Sequence, residues 1–449
     1  MSITILLIIY VVLLFMLGIW SHKQIKQPLD FFVAGRHGSS WDITGSLLAT
    51  VVGSSAILGT LNLTVQQGWA AMWFLFSASL GLFLLVPKVA SIYSHKKLTL
   101  PQLLEQFYGK RAKQLSSIII PTAWVGIVAA QVVGASKILT ALVDLSYSNA
   151  VFISGGVLIL YTMLGGQISI LKTDKIQAFI IYLGLFFLAA YLFYDFGFSK
   201  VAPLSSSFPF NPHFEWGDLI VLMLTYSTTF LVGPDIYSRI FSASSPAVAK
   251  KSVALVALML IPFSIVLCYI GMHINGLDLS TQNNSINFMI FLKYNSSKMI
   301  FALGSLALLS AVLSSADTTL LSASIILVDA KKQTKIDMVK SSRIMILVLG
   351  LLAVWIAIKI GSIITILLTA LAFYSGAFIV PMFVALYTKK QPKGNSVVAM
   401  LTGGVVALLG KIMILYGVRE WGNVVVISGF VVNFLILFYG HHLKIERKD

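Results

Sequence analysis

The sequence predicts an all-α polytopic membrane protein with about thirteen transmembrane helices. Of its 449 residues, 58% are hydrophobic and only 11% are charged. A soluble domain carries roughly 25% charged residues because its surface faces water. The apolar residues form long runs rather than the alternating pattern of an outer-membrane barrel. These observations exclude a soluble enzyme, a nucleic-acid-binding protein and a disordered chain.

Thirteen apolar runs are long enough to cross a bilayer, which takes about 20 apolar residues in a helix. The first run has no basic n-region and no small-residue cleavage site, so we interpret it as a retained helix, not a signal peptide. The runs are 3–20, 41–62, 69–91, 115–143, 148–165, 173–197, 217–240, 252–275, 299–328, 342–360, 362–388, 395–416 and 422–441.

The net charge of +16 indicates membrane orientation, because Lys and Arg are enriched in cytoplasmic loops. With the amino terminus outside, 25 of the 32 basic residues lie on the cytoplasmic side; Arg239, at the end of the seventh run, is counted among them. The sequence therefore predicts a multi-pass protein of the cell membrane with an outer amino terminus and a cytoplasmic carboxyl terminus. The bilayer is its expected partner, and neither a nucleic acid nor an obligate protein partner is indicated.

The chain is predicted to form a single membrane domain without a catalytic centre or cofactor. Cys268 is the only cysteine, so neither a disulfide nor a thiolate metal cluster can form. The sequence contains no GxxxxGK[ST] phosphate loop and no HExxH motif, which argues against an ATP-driven pump or an enzyme.

Two apolar runs contain residues that interrupt helices. The second run has Gly53 and neighbouring serines at its centre, and the seventh contains Gly233-Pro234. Glycine and proline favour a broken or kinked helix, and an unwound turn frees carbonyl oxygens that can bind a cation. Close helix packing through small residues is an equally good explanation for the second run alone. Matching interruptions five runs apart point to a transport site between two repeats.

The ninth run places oxygen-bearing side chains on one helix face, because Ser314, Asp317 and Thr318 are three and four residues apart. Such a face either binds a cation or bonds to another helix, and a carboxylate within lipid needs a cation, a base or a proton. Asp174, at the start of the sixth run, is either a helix cap or part of an ion site. Lys137 and Lys411, near the ends of their runs, are expected to snorkel.

The sequence resembles the sodium:solute symporter family of sodium-coupled sugar, proline, pantothenate and sialic acid transporters. The resemblance covers almost the whole chain, and its six motifs occur in the family's order. They are Asp30-Phe-Phe-Val-Ala-Gly-Arg36, the Gly59…Gly68 spacing, Thr99-Leu-Pro-Gln-Leu-Leu-Glu-Gln-Phe-Tyr-Gly109, Tyr161-Thr-Met-Leu-Gly-Gly166 with Thr173-Asp174 and Gln177, Gly233-Pro-Asp-Ile-Tyr-Ser-Arg239, and Ser314-Ser-Ala-Asp-Thr-Thr-Leu320.

The resemblance implies a leucine-transporter-like fold with a five-plus-five inverted repeat. The expected parts are an extra helix and cytoplasmic loop (1–40), a first repeat (41–197), a second repeat (217–388) and two final helices with a tail (395–449). It also implies a sodium site between the second and ninth spans. The ligands carried over by motif are the carbonyls of Ala49, Val52 and Ala311 and the hydroxyls of Ser314 and Ser315.

Some family members have a second sodium site, which here implies Asp174, Ser314, Asp317 and Thr318. Asp317 stands where the two-sodium sialic acid transporters carry a serine, so this chain departs from their pattern. The implied solute site lies beside the broken helices. Its candidate residues are Gly53, Ser55, Ala56, Gln131, Tyr226, Thr229 and Tyr374.

The expected function is sodium-coupled uptake of a small organic solute by alternating access. Ser55 and Ala56 replace the acidic and amide residues that sugar carriers place in the second span, and free amides at a broken helix suit a carboxylate. We therefore expect an amino acid or another small organic acid. The alternatives are proton coupling through Asp317 or Asp174, and a solute-sensing membrane receptor.

Overall fold

The computed structural model describes residues 3–95, 99–143, 145–198, 201, 203–275, 289, 292–294, 296–330, 335–388 and 394–439. The regular structure of these residues is helical. The helices are α1 (Ile3–His22), α2 (Pro28–Val33), α3 (Ser40–Val51), α4 (Ser54–Gln67), α5 (Trp73–Leu85), α6 (Val89–Ser94), α7 (Leu100–Tyr108), α8 (Lys110–Leu142), α9 (Tyr147–Phe196), α10 (Trp216–Leu222), α11 (Thr228–Val232), α12 (Pro234–Ser242), α13 (Pro246–Asn275), α14 (Lys298–Asp329), α15 (Lys335–Lys359), α16 (Ile363–Tyr387), α17 (Ser396–Leu415) and α18 (Arg419–Tyr439).

Ten helical segments of the described chain are long and apolar enough to cross a membrane. The number of segments differs from the thirteen predicted spans because of how the helices are divided. Two predicted spans lie within α9, and the second predicted span covers α3 and α4. Large apolar side chains on the outer helices, such as Ile118 and Phe179, are exposed at 64% and 65%. Exposed apolar side chains on a transmembrane helix face lipid, so the protein is a multi-pass membrane protein.

The second span is broken between α3 and α4, as the sequence predicts. Val52 leaves the helical conformation with φ −93° and ψ 50°, and Gly53 is extended. A Cβ atom on Gly53 would lie 2.7 Å from Cβ of Ser315 and 3.1 Å from Nε2 of Gln131. Only glycine therefore allows α14 and α8 to approach the break this closely.

The seventh span contains two departures from α-helical geometry. A π-helical turn runs from Met223 to Ser227, and Gly233 is extended at φ −65° and ψ 122° between α11 and α12. Pro234 then begins α12, where its missing N–H costs no hydrogen bond. The predicted interruption is confirmed, and the π-helical turn is additional. Such turns are frequent at functional sites.

The 50-residue helix α9 is kinked at Gly166, which has φ 55° and ψ −159°. A Cβ atom there would meet the ring of Phe31. The kink separates the predicted fifth and sixth spans, and the sixth begins at residue 167 rather than 173. Asp174 lies in the second turn after the kink, inside the helix. The alternative that Asp174 caps a helix is therefore wrong.

Helix α14 occupies the centre of the bundle. Its residues from Ser314 to Ser322 are all buried, and it packs against α3, α8 and α9. A helix that is buried on all sides belongs to the core. Lys137 of α8 is also buried, at 6% exposure, so its predicted snorkelling is wrong. Polar groups on α14 thus face other helices, where they must find partners or ligands.

Candidate functional site

A group of backbone and side-chain oxygens, which we call the oxygen group, lies where the end of α3 packs against α14. The Ser314 hydroxyl donates to the carbonyls of Ala49 (3.0 Å) and Ala311 (3.2 Å). The Ser315 hydroxyl donates to the carbonyls of Ala49 (3.3 Å) and Thr50 (2.8 Å). Val52, the cap residue of α3, is fully buried. These hydrogen bonds bring together four of the five residues implied by the motif resemblance, Ala49, Ala311, Ser314 and Ser315, and add Thr50.

The break in the second span explains why these carbonyls face α14. The last carbonyls of a helix have no partner within it, and here the chain unwinds before the next helix can supply one. Serines of α14 provide the donors instead. Hydroxyls and carbonyls are hard oxygen groups, and transporters of broken-helix type bind Na⁺ with unwound backbone carbonyls. The arrangement is chemically suited to a small monovalent cation.

A charged cluster centred on Arg239 lies one helical turn along α14 from these oxygens. Its Nη2 is 2.9 Å from Oδ2 of Asp174, and both side chains are completely buried. The same guanidinium donates to Ser46 (2.9 Å) and Thr50 (2.9 Å) of α3 and to the hydroxyl of Thr318. Ser46 also donates to Asp174 at 2.5 Å. Arg239 thus joins α3, α9, α12 and α14.

Arg239, which the count of basic residues places on the cytoplasmic side, is a buried residue rather than a surface residue. The residue lies in the last turns of α12, and its side chain points into the bundle toward Asp174. A buried carboxylate attracts a buried guanidinium because each is costly alone in a low-dielectric interior. The sequence signal that could have identified the pair is the scarcity of acids within the apolar runs, which makes a basic partner necessary.

Asp317 completes the cluster. Its Oδ1 accepts from the amide (2.5 Å) and hydroxyl (3.2 Å) of Thr318. Oδ2 of Asp317 and Oδ1 of Asp174 have no hydrogen-bond partner among the described residues. Two ionised carboxylates and one guanidinium carry a formal charge of −1. The cluster therefore has capacity for one more cation or proton.

An inner cavity of about 60 Å³ adjoins both groups. Its lining includes three of the predicted solute residues, Gln131, Tyr226 and Thr229, together with Thr50 and Ser315 of the oxygen group. Typical small-molecule sites measure roughly 300–1,000 Å³, so solute binding requires this cavity to widen. The two breaks, in the second and seventh spans, lie at its edge and are suited to that movement.

The other predicted solute residues are placed differently. Gly53 lies beside Gln131, and Ala56 is buried in the first turn of α4. Tyr374 packs edge-on against Trp124 behind the cavity wall, and its hydroxyl donates to the Val232 carbonyl at 2.6 Å. The side chain of Ser55 lies outside the described residues. Trp124 and Asp235, which line the cavity, were missed because neither stands out from its apolar or helix-breaking neighbours.

Known proteins resemble the chain in both sequence and fold. Solute carrier family 5 member 4B of Mus musculus is 28% identical over 196 residues, which are 42% of this chain and 30% of that protein. Sodium/glucose cotransporter 1 of Ovis aries is 27% identical over 196 residues, which are again 42% of this chain and 30% of that protein. The high affinity choline transporter 1 of Homo sapiens is 26% identical over 353 residues, 71% of this chain and 60% of that protein. The matched segments thus span about a third to three fifths of these relatives.

Two solved structures share the arrangement of helices. A Na⁺-coupled sialic acid symporter in a substrate-bound outward-open state has a TM-score of 0.80 at 17% identity, covering 96% of this chain and 97% of that chain. Mhp1, a nucleobase-cation-symport-1 family transporter, has a TM-score of 0.61 at 13% identity, covering 91% and 93%. At these identities the likeness establishes the fold, which is leucine-transporter-like.

The sequence family is established over most of the chain. The protein-family model described as "Sodium:solute symporter family" matches residues 31–403 of the sequence. That range contains the oxygen group, the charged cluster and the inner cavity. The family and its structural neighbours are membrane transporters rather than enzymes. The chain belongs to the sodium:solute symporter family.

Proposed function

We propose that the protein couples inward movement of Na⁺ to uptake of a small organic solute. The observation that carries the proposal is the convergence of the Ser314 and Ser315 hydroxyls on the last carbonyls of α3, within 3.3 Å. Family membership supports the same coupling ion. The proposed ligands are the carbonyls of Ala49, Val52 and Ala311 and the hydroxyls of Ser314 and Ser315.

Sodium in this position would act as a link between α3 and α14. The two serine hydroxyls, which donate to carbonyls in the present arrangement, would rotate and offer their lone pairs to the ion. The ion would then draw the hydroxyls and the carbonyls of the unwound turn together. Because Thr50 and Ser315 also line the inner cavity, occupation of the sodium site would change the shape of the solute site. This shared wall supports coupling.

The transport cycle would proceed by alternating access between two repeats, 41–197 and 217–388. Each repeat begins with a broken span, and the two breaks flank the inner cavity. We propose that the amino terminus is outside and the carboxyl terminus cytoplasmic, following the distribution of basic residues. An inside-negative membrane potential would then contribute about 2.3 kcal/mol per charge per 100 mV to sodium entry.

The second cation site, formed by Asp174, Asp317 and Thr318, is proposed with Oδ2 of Asp317 as its main ligand. Arg239 already supplies one positive charge to Asp174, whereas Oδ2 of Asp317 has no hydrogen-bond partner among the described residues. That oxygen would take either a second Na⁺ or a proton. The latter keeps proton coupling as an alternative function, because a carboxylate oxygen without a partner is a suitable proton acceptor.

A small organic acid or amino acid is the proposed solute class. The inner cavity offers an amide at Gln131 and hydroxyls at Tyr226 and Thr229 among apolar walls. These groups can hydrogen-bond to a carboxylate as well as to other polar solutes. The amides freed at the breaks in the second and seventh spans add donors that favour an anionic group.

The test is uptake into proteoliposomes loaded with K⁺ and diluted into Na⁺ or K⁺ buffer. Labelled amino acids, organic acids, vitamins and sugars would be compared at equal external pH. The proposal expects at least one solute to accumulate only with an inward Na⁺ gradient. Equal accumulation driven by a pH gradient without Na⁺ would instead favour proton coupling, and uptake indifferent to both gradients would contradict any coupled mechanism.

A further inference from the structure

A second and larger cavity, of about 460 Å³, lies beside the inner one. We call it the outer cavity, and its lining includes Phe74, Asp218, Thr225, Leu368, Lys411 and Arg419. These residues come from α5, the seventh span, α16, α17 and the start of α18. On the proposed orientation, this cavity is on the external side of the protein.

Residues that are neighbours in the chain or in space line the outer cavity on one side and the inner cavity on the other. Thr225 lines the outer cavity and the adjacent Tyr226 lines the inner one. Leu368 and Leu367 are divided between the two cavities in the same way. The ring of Phe74 stacks on that of Tyr226 with centroids 4.1 Å apart. A solute in the outer cavity therefore has to pass the stacked rings of Phe74 and Tyr226 before it reaches the inner cavity.

The charges in the outer cavity are unequally paired. Both carboxylate oxygens of Asp218 are occupied: Oδ1 accepts from Arg419 (2.9 Å) and Asn423 (3.1 Å), and Oδ2 accepts from Arg419 and from the amide of Glu215 (2.9 Å). Lys411 is half-buried and attracted electrostatically by Asp218, but it makes no hydrogen bond and no direct ion pair with any described residue. Because Arg419 balances the charge of Asp218, the ammonium group of Lys411 leaves the cavity with a net positive charge.

We propose that Lys411 makes the outer cavity a docking site for small organic anions, where a carboxylate solute pauses before it enters the inner cavity. This inference rests on the proposed function in taking the solute to be a carboxylate that arrives from this side. The half-buried ammonium is attracted by Asp218, whose oxygens hydrogen-bond to other groups, and an anion in the cavity would give it a direct partner. This role goes beyond the snorkelling expected from the sequence. The acidic residues Glu215 and Glu420 line a neighbouring groove rather than this cavity.

The first experiment tests the charge without requiring the solute. Ile414, one turn after Lys411, lines the same cavity and is replaced by cysteine, while the buried Cys268 is retained. Intact cells are treated with anionic and cationic methanethiosulfonate reagents. The rate at which each reagent labels the cysteine is divided by its rate with a free thiol in solution. A unit charge at about 4 Å in water changes the local concentration of an ion roughly fivefold. The anionic-to-cationic rate ratio should fall by at least that factor in I414C/K411M.

The matched control is Lys359→Met, since Lys359 is an exposed lysine at the end of α15 and does not line the outer cavity. In I414C/K359M the ratio should equal that of I414C alone. An unchanged ratio in I414C/K411M would overturn the proposal. Because labelling needs no transport, this result is independent of whether sodium-coupled uptake occurs.

The second experiment uses the solute identified by the uptake screen. For a carboxylate solute, Lys411→Met should raise KM about fivefold with kcat unchanged, and Lys411→Arg should restore KM. A structural role for Lys411 would lower kcat or the amount of folded protein instead. Unchanged KM in Lys411→Met, or a solute without a carboxylate, would overturn the docking role while leaving sodium coupling intact.

Discussion

Nη2 of Arg239 lies 2.9 Å from Oδ2 of Asp174, and neither side chain is accessible to solvent. The pair connects α12, which follows the break in the seventh span, with α9. Additional bonds from Arg239 reach α3 and α14. One guanidinium therefore holds together the helices that surround the proposed sodium site.

Removing one member of this pair should destabilise the protein strongly. We expect Asp174→Asn or Arg239→Met to cost about 3–5 kcal/mol, because each leaves a buried charge without its partner. The double variant should cost less than the sum of the two. The measurement is the thermal unfolding of the purified protein in detergent, in a double-mutant cycle.

The control is the ion pair of Lys175 and Asp42, whose atoms are 2.6 Å apart but whose side chains are 49% and 25% exposed. Exposed pairs contribute about 0–1 kcal/mol. Lys175→Met should therefore have little effect, and it leaves the hydrogen bonds between Asp42 and Ser39 at the start of α3 in place. If Asp174→Asn lowered the unfolding temperature no more than Lys175→Met, the central role of the buried pair would be wrong.

A methyl group at Gly53 should abolish uptake. Cβ of an alanine there would lie 2.7 Å from Cβ of Ser315, so α14 or the unwound turn would have to move. The movement would disturb the proposed sodium ligands directly. Gly59→Ala in the same span is the matched control, because the nearest atom to its Cβ is 3.8 Å away. Sodium-dependent uptake should fall to background in Gly53→Ala and persist in Gly59→Ala; equal activity in the two would refute the argument.

Phe74→Ala should open the layer between the two cavities. Its ring stacks on Tyr226 at 4.1 Å, and its removal would expose the inner cavity to the outer one. A cysteine at Thr229 should then react several-fold faster with a membrane-impermeant reagent applied outside. Phe83, on the same helix but 40% exposed on its outer face, provides the control substitution. A reaction rate unaffected by Phe74→Ala would show that another element closes the cavity.

Asp317→Asn should reduce the charge moved per solute by one while sodium dependence remains. The substitution removes the ionisable oxygen that lacks a partner but leaves Ser314 and Ser315 in place. The ratio of charge to solute can be measured in proteoliposomes under a set potential at symmetrical pH. A ratio identical to that of the unmodified protein would exclude Asp317 from cation or proton binding.

The sequence predicted the spans and their interruptions because both depend on local chemistry. Long apolar runs identify helices in lipid, and Gly53 and Gly233-Pro234 disrupt helical geometry wherever they occur. The sixth span was predicted to begin at residue 173, but it begins six residues earlier, at residue 167. The cause is that Gly166 turns the chain ahead of the polar residues Lys172, Thr173 and Asp174, at which the sixth run was predicted to begin.

The charged cluster shows the limit of sequence reasoning. Asp174 and Arg239 are far apart in the chain, and their contact depends on how α9 and α12 pack. The count of basic residues placed Arg239 on the cytoplasmic side because it lies at the end of an apolar run, and this gave no sign that its side chain is buried. The serines of α14 were found, since hydroxyls and a carboxylate on one buried face need partners whatever the fold.

The most direct test of the account is the sodium dependence of thermal unfolding in the purified protein. An ion that binds only the folded state stabilises it by mass action. NaCl should raise the unfolding temperature above that in equimolar KCl, and Ser314→Ala/Ser315→Ala should remove the difference. Ser305→Ala should retain it, because the Ser305 hydroxyl donates to the Phe301 carbonyl within its own helix. Sodium-specific stabilisation that survives in the double variant would contradict the proposed sodium site.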